Sequence, residues 1–335
     1  MAMSRPEALQ QVATLPWYHS IDLGDSVVTN GQYDHRPYLS HYGLPVDLHG
    51  KTVLDIGAAS GFFSFELERR GAQVTATELT QWQDHDFAPT YQPDQTPEEG
   101  YRYLHQPFDV AKQILGSQAQ MKWINIYDIS PETVGVFDVV FCGSVLIHLT
   151  DPLKALCNIA RVTREKAIVA TVIQQHESER SIATMVGHES GYCWWIPTRA
   201  CFELMAVAAG FVGIEWMSDF QLNYRDQPTG PYHGVLHAYP TTDGWTERTR
   251  HRDQVCAAYH DATNEQSIPE MLANVRRQEQ EKANVTVGRA LQAALINVRQ
   301  QEQEIVQLKD LVAAYERGRF IRLMRFLNRV RHPRS

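Results

Sequence analysis

Short apolar runs alternate with segments of helical spacing between residues 51 and 240. The first run, residues 53–56, ends in a turn of small residues and leads into a helix-patterned segment that Gly71 closes. Such runs are typical of parallel strands buried on both faces. The further runs that predict strands are residues 73–77, 121–126, 136–142, 166–173, 211–217 and 232–239. The pattern predicts an α/β domain in which residues 80–106 form a long lid loop.

Two acids and two glycines stand where the first two predicted strands end. Asp55 lies inside the first run, Gly57 and Gly61 frame the turn after it, and Glu78 closes the next run. The G-x-x-x-G spacing differs from the G-x-G-x-x-G of dinucleotide-binding enzymes, and no phosphate-binding lysine follows. An acid at the end of the second strand can accept both hydroxyls of a ribose. These residues therefore indicate a site for a cofactor that contains a nucleoside.

The arrangement resembles the class I S-adenosylmethionine-dependent methyltransferases over roughly residues 51 to 240. The resemblance implies a Rossmann-like, seven-stranded, mostly parallel sheet with S-adenosylmethionine as cofactor. The residues it assigns to the cofactor are Gly57, Ala58 and Gly61 at the methionine part, Glu78 at the ribose, Asp128 and Ile129 at the adenine, and Asp55, Leu79 and Gly143 around them. Ala58 and Ala59 stand where many members have Cys-Gly or Gly-Thr. The alternative is a Rossmann-like turn that binds NAD or no ligand.

Residues 1–50 are predicted to form an N-terminal cap over the cofactor cleft. The run from Trp17 to Leu23 resembles a stretch that precedes the core in a methyltransferase subgroup. This subgroup includes the tRNA wobble-uridine enzymes and bacterial glycan-modifying members. We expect Tyr18, His19 and Tyr33 to close on the cofactor or the substrate. The alternative is an aromatic staple that only packs the cap on the domain.

Histidines near the predicted reaction centre are candidates for a general base. A base must reach the proton that it takes and must have a pKa near the working pH, which favours histidine for a hydroxyl acceptor. His148 follows the fourth predicted strand and is the first choice, with His176 and His188 in reserve. The alternative for His148 is a structural role that ties the turn after the strand to the cap.

An aromatic segment follows the fifth predicted strand and reads as a substrate loop. Trp194 and Trp195 lie there among histidines and carboxylates. Indole rings pack against the C–H faces of sugars while polar groups orient the hydroxyls. The alternative is that both tryptophans pack against the next predicted helix.

The C-terminal part has a different composition. Residues 241–316 show apolar positions at coiled-coil spacing and predict a helical arm that joins copies of the chain, or a lone helix folded back on the domain. Residues 317–335 carry seven arginines and no acid. We expect this tail to be a basic amphipathic helix that contacts an anionic membrane, with nucleic acid as the competing partner.

Composition limits the class of protein further. The net charge is −8 although the tail is basic, and this acidic body does not suggest a surface that grips nucleic acid. The five cysteines have no C-x-x-C spacing, so we predict no metal site and a reducing compartment. The first residues lack the apolar core of a signal peptide. We therefore expect a cytoplasmic protein whose tail would be the part that contacts the inner face of the membrane.

The sequence as a whole predicts an enzyme that methylates a hydroxyl group with S-adenosylmethionine. The predicted acceptor is a sugar in a surface glycan or a related small molecule. One alternative is a tRNA wobble-uridine modification enzyme, in which the arginines of the tail would hold RNA. Another is a non-catalytic scaffold that assembles through the coiled coil.

Overall fold

A computed structural model describes residues 5–91, 95–175, 180–187, 191–240 and Arg322. The chain divides into two units, Met1–His260 and Asp261–Ser335, and the described residues other than Arg322 lie in the first. The reserve bases His176 and His188, the arm at 241–316 and the tail apart from Arg322 lie outside the described residues. Among the helices that are described, none combines the length and the hydrophobicity that crossing a bilayer requires.

A seven-stranded sheet of order β3-β2-β1-β4-β5-β9-β8 forms the centre of the described domain. Strands β1 to β5 run parallel, and β9 pairs antiparallel with both β5 and β8. The predicted seven-stranded, mostly parallel sheet is therefore confirmed. The strands of this sheet are β1 (Thr52–Ile56), β2 (Gln73–Glu78), β3 (Gln120–Trp123), β4 (Phe137–Gly143), β5 (Thr163–Val172), β8 (Gly213–Gln221) and β9 (Tyr232–Tyr239). A separate two-stranded sheet contains β6 (Ala183–Met185) and β7 (Trp195–Pro197).

The helices connect the strands and cover both faces of the sheet. They are α1 (Arg5–Val12), α2 (Phe62–Arg69), α3 (Pro97–Leu104), α4 (Gln106–Leu115), α5 (Pro152–Val162) and α6 (Arg199–Ala208), with short 3-10 helices at Arg36–Tyr42, Trp82–Asp84, Ile126–Asp128 and Leu146–His148. The long connection predicted over residues 80–106 is not a loop throughout, because α3 lies within it. Thr96 and Glu99 form a reciprocal capping box that begins this helix.

The sheet separates two hydrophobic layers. One layer contains α2, α4 and the N-terminal segment, and the other contains α5 and α6. In the first layer Tyr42 is 1% exposed, and its ring centroid lies 4.8 Å from that of Phe63 and 5.9 Å from that of Phe141. The N-terminal segment thus contributes to the core of the domain itself.

Asp138 joins three strands at the edge of the sheet opposite the glycine turn. Its Oδ2 accepts hydrogen bonds from Thr52 N (2.8 Å) and Thr52 Oγ1 (2.9 Å), and Oδ1 accepts one from Arg164 Nη1 (2.5 Å). Burial opposes ionisation of Asp138, but the bonds from Thr52 and Arg164 hold its pKa below the usual value. The starts of β1, β4 and β5 are thereby tied together.

We expect Asp138→Ala to lower the free energy of unfolding by about 1–3 kcal/mol, because it leaves the half-buried amide and hydroxyl of Thr52 without their acceptor. In the wild type, the Asp138 carboxylate stabilises the fold above the pKa that this group has in the unfolded chain. The stabilisation is lost as the pH falls through the lower pKa of the folded protein. Urea unfolding at pH 7 and pH 3 measures both effects. The control is Glu165→Ala, which breaks only the exposed Lys51–Glu165 ion pair and should cost less than about 1 kcal/mol. Equal losses in the two variants would contradict this assignment.

Candidate active site

The strand order reverses between β1 and β4, which are neighbours in the sheet. In open α/β sheets ligands bind in the crevice beyond the carboxyl ends of strands at such a reversal. The turn Gly57–Gly61 follows β1 at this place, and both Gly57 N and Ala58 N donate to Thr77 O at 3.0 Å. The turn is therefore fastened to the end of β2, where Glu78 stands.

Three residues of the turn have positive φ angles: Gly57 (71°), Ala59 (47°) and Gly61 (93°). A Cβ on Gly57 would lie 2.4 Å from Cγ2 of Val145, and one on Gly61 would lie 2.6 Å from the ring of Phe65. Glycine is thus required at both positions by the left-handed backbone and by neighbouring protein side chains. The sequence predicted close approach by a ligand as the reason, and the packing supplies a second reason.

Glu78 links the turn to the end of β2. Its Oε2 accepts a hydrogen bond from Ala59 N (3.0 Å), and its Oε1 accepts one from Leu79 N (2.8 Å). Burial raises the pKa of Glu78, and the two amide donors act in the opposite direction. Each carboxylate oxygen retains a lone pair that can accept a ribose hydroxyl. The donor set therefore fits the ribose of S-adenosylmethionine.

Asp55 lies beneath the turn and does not face the solvent. It is 2% exposed, and its Oδ2 accepts a hydrogen bond from Ser64 Oγ at 2.5 Å. Burial raises its pKa to about 7, and the charge of Glu78 adds to that rise while the bond from Ser64 opposes it. Asp55 thus anchors the first turn of α2 to β1.

The other residues assigned to the cofactor lie at the same edge of the sheet. Asp128 is exposed at the end of the 3-10 helix after β3, whereas the side chain of Ile129 is 1% exposed and packs in the core. Any contact of Ile129 with an adenine must therefore come from its backbone. Gly143 ends β4, and Leu79 follows Glu78 directly.

The N-terminal segment brings aromatic side chains to this edge. Tyr18 N donates to Ser60 Oγ in the turn at 3.0 Å, and Tyr18 packs against Tyr33 with ring centroids 5.2 Å apart. Burial raises the pKa of Tyr18, and nearby groups raise it further: Tyr224, Cys193, Tyr192 and Glu78. His19 is 5% exposed, and burial lowers its pKa to about 3, so it stays neutral. Tyr18 thus packs on Tyr33 and lies near Glu78.

His148 ends the 3-10 helix after β4 and lies beside Tyr192. Its Nδ1 is 2.9 Å from the Tyr192 carbonyl oxygen, and because a carbonyl only accepts, Nδ1 carries the proton. Burial lowers the pKa of His148, which makes the neutral ring the main form at pH 7. No hydrogen-bond partner of Nε2 occurs among the residues that the structure describes, so its lone pair can receive a proton.

The two predicted substrate tryptophans are held by backbone carbonyls. Trp194 Nε1 donates to Asp86 O (2.7 Å), and Trp195 Nε1 donates to Thr150 O (3.1 Å). Asp86 Oδ2 in turn accepts from Tyr127 Oη (2.6 Å) and from Thr150 N (2.7 Å). Trp195 also lines an apolar cavity of about 220 Å³ beside α5 and α6. Both indoles thus fasten the segment after β5 to the lid and to the turn after β4.

Sequence reasoning missed several residues that the fold brings to this edge. Asp86 and Tyr224 come from separate loops and have no local pattern in common. His233 begins β9 and lies 2.8 Å from the hydroxyl of Ser144 at the end of β4. The position of Ser144 directly after Gly143 was the only signal in the sequence for that pair.

The sheet order, the glycine turn after β1 and the acid that ends β2 are typical of class I S-adenosylmethionine-dependent methyltransferases. A family model described as "Methyltransferase domain" matches residues 54–171. Residues 54–171 therefore match a methyltransferase domain, and the glycine turn with the Glu78 carboxylate fits S-adenosylmethionine as its cofactor.

Curated relatives include the ubiquinone biosynthesis O-methyltransferases of Dechloromonas aromatica (strain RCB; 26% identical over 122 residues) and Xanthomonas oryzae pv. oryzae (strain PXO99A; 27% over 126 residues). These matches cover 36% and 38% of this chain, which spans 42% and 44% of the respective relatives. A solved structure of the N-terminal domain of EvdMO1 with SAH bound is 18% identical. The superposition covers 71% of this chain and 97% of the EvdMO1 domain, with a TM-score of 0.49.

We expect Glu78→Ala to weaken S-adenosylmethionine binding by at least about tenfold, because the ribose loses a charged acceptor. Calorimetric titration measures the affinity. Glu98→Ala removes an exposed carboxylate from α3, close in the chain, and should leave the affinity unchanged. Unchanged affinity in Glu78→Ala would exclude Glu78 from the ribose site.

Asp55→Asn should make the stability of the domain less dependent on pH. Because the folded pKa of Asp55 is raised to about 7, wild-type stability falls as the pH rises from about 4 through about 7. Asparagine does not ionise, so the free energy of unfolding of Asp55→Asn should rise by up to about 4 kcal/mol relative to wild type as the pH goes from about 4 to about 7. Urea unfolding at pH 5 and pH 8 compares the two proteins. If the two proteins differed in free energy of unfolding by the same amount at pH 5 and pH 8, the raised pKa of Asp55 would be contradicted.

Proposed function

We propose that the protein is an O-methyltransferase in which His148 removes the proton of an acceptor hydroxyl. The observation that carries this proposal is the tautomer of His148, whose Nδ1 proton is bound by Tyr192 O while Nε2 is left as a base. S-adenosylmethionine supplies an electrophilic methyl group when it is bound. A hydroxyl becomes a better nucleophile as its proton moves to a neutral imidazole. The glycine turn and Glu78 position the donor, and binding two reactants side by side supplies much of the acceleration.

The chemistry of the surrounding side chains supports a neutral acceptor. Four phenol groups lie near one another, and one of them, Tyr18, also lies near Glu78. They are Tyr18, Tyr33, Tyr192 and Tyr224. None of these groups is a cation, and an anionic acceptor would be repelled by Glu78. Phenol rings pack against apolar faces while their hydroxyls bond to polar groups. This composition fits a sugar hydroxyl in a glycan or a related small molecule.

A second candidate is a phenolic acceptor. The curated relatives are named for ubiquinone biosynthesis, so a phenolic precursor of a quinone would suit the same aromatic surroundings. It needs the same base and the same donor site. The two candidates differ in how the acceptor packs on the phenols, and acceptor preference distinguishes them. Membrane contact through the tail and assembly through the arm stay predictions on residues outside the described part.

Incorporation of a labelled methyl group tests the proposed reaction. The full chain is incubated with labelled S-adenosylmethionine and with methyl glycosides, catechol or bulk tRNA. We expect label in a hydroxyl acceptor and none in tRNA, because the phenol groups near Glu78 carry no positive charge that would hold phosphates. Label in tRNA alone would overturn the proposal in favour of RNA modification. Absence of label from every acceptor, with intact cofactor binding, would also overturn it.

His148→Gln should lower kcat by roughly 10²–10⁴-fold and leave the affinity for S-adenosylmethionine unchanged. In the wild type, the lowered pKa places the acidic limb of the pH–rate profile below pH 6.5. Steady-state kinetics between pH 5 and pH 8 measures both. The control is His49→Gln, which changes an exposed histidine paired with Asp47 and should leave the profile as it is. A loss of less than about tenfold in His148→Gln would exclude His148 as the base.

A further inference from the structure

Ser144 has an unusual backbone conformation at the edge of the sheet where the parallel strands end. It follows β4 directly and has a φ of 60°, a left-handed conformation that a side chain other than glycine rarely adopts. Its N–H donates to Ala170 O at 2.8 Å, which fixes the turn against β5. Strained positions of this kind persist where the surrounding structure demands them, and they cluster at functional sites. Ser144 is half-buried at the carboxyl end of β4.

The hydroxyl of Ser144 is oriented by a buried histidine of β9, which lies two strands away from β4 in the sheet. His233 is 2% exposed and pairs with Val172 across β5 and β9. Because β9 runs antiparallel, it begins at the edge where β4 and β5 end. His233 Nε2 lies 2.8 Å from Ser144 Oγ, and His233 Nδ1 lies 3.1 Å from Pro231 O.

The Pro231 carbonyl decides the direction of the bond between His233 and Ser144. A carbonyl oxygen only accepts, so Nδ1 of His233 carries the proton and Nε2 accepts the Ser144 proton. Burial lowers the pKa of His233 to about 4, which keeps the ring neutral at pH 7. His233 is therefore a fixed hydrogen-bond acceptor and a poor base. The hydroxyl proton of Ser144 points at His233, and both lone pairs of Ser144 Oγ are left for other donors.

We propose that Ser144 Oγ, oriented by His233, is a subsite that accepts a hydrogen bond from a hydroxyl or N–H group of the methyl acceptor. The proposal rests on the proposed function, because it assigns a positioning role within the same reaction. It differs from the role of His148, which takes a proton. The lone pairs at Ser144 repel carbonyl and phosphate oxygens, so this subsite selects acceptors that donate at this point.

The test compares two variants with a matched control. Ser144→Gly removes the hydroxyl and suits the positive φ, so the turn is preserved. His233→Phe keeps a ring beside Phe220, against which His233 stacks, and removes the acceptor nitrogen. The control is His237→Phe on the same strand, where a buried histidine bonds to Tyr42 O.

We expect Ser144→Gly to raise KM for a hydroxyl acceptor by about three- to tenfold, with kcat and cofactor affinity changed by less than about twofold. His233→Phe should raise KM in the same direction, because Ser144 then loses its fixed orientation. His237→Phe should not raise KM. An unchanged KM in Ser144→Gly, or an equal rise in His237→Phe, would overturn the proposal.

A second readout distinguishes failure of the subsite from failure of the proposed function. In protein with labelled histidine nitrogens and bound S-adenosylhomocysteine, the NMR signal of His233 Nε2 reports its bond to Ser144. Addition of methyl α-D-glucopyranoside should shift this signal in wild type and leave the His233 signal of Ser144→Gly unchanged. A shift without methyl transfer to any hydroxyl would support the subsite and overturn the proposed function. Methyl transfer to the glycoside without a shift would overturn the subsite alone.

Discussion

The Glu78 carboxylate holds two loops of the cofactor edge together, and the geometry of the site depends on that link. Ala59 has a positive φ without being glycine, and its N–H donates to Glu78. The Leu79 amide binds the other carboxylate oxygen. Burial disfavours the charge of Glu78, whereas these two donors favour it. One acid thus fixes the turn after β1 and presents lone pairs to a ribose.

The acceptor side depends on contacts that join distant parts of the chain. Asp86 in the lid accepts bonds from Tyr127 and Thr150, and its carbonyl accepts one from Trp194. Ser60 in the turn accepts from the backbone of Tyr18. The loop around Asp86, the N-terminal segment and the segment after β5 are therefore all bonded to the edge where the parallel strands end. This edge is where an open α/β sheet binds its ligands.

The local patterns of the sequence predicted the seven-stranded sheet well. Asp55, the glycine turn and Glu78 are close in sequence, and the chemistry of each follows from its position at a strand end. The capping box of Thr96 and Glu99 was equally local, yet the prolines and acids around it favoured a loop. Ser144 and His233 are separated by 89 positions, so no spacing rule could pair them. The tautomer of His148 likewise depends on Tyr192, 44 positions away.

A crystal structure of the full chain with S-adenosylhomocysteine is the most direct test of the cofactor site. The account predicts ribose hydroxyls within hydrogen-bond distance of the Glu78 carboxylate. It also predicts a cofactor sulfur that faces the space between Tyr18 and His148. A ligand bound elsewhere, or one whose ribose does not contact Glu78, would contradict the assignment of this edge as the methyl-transfer site.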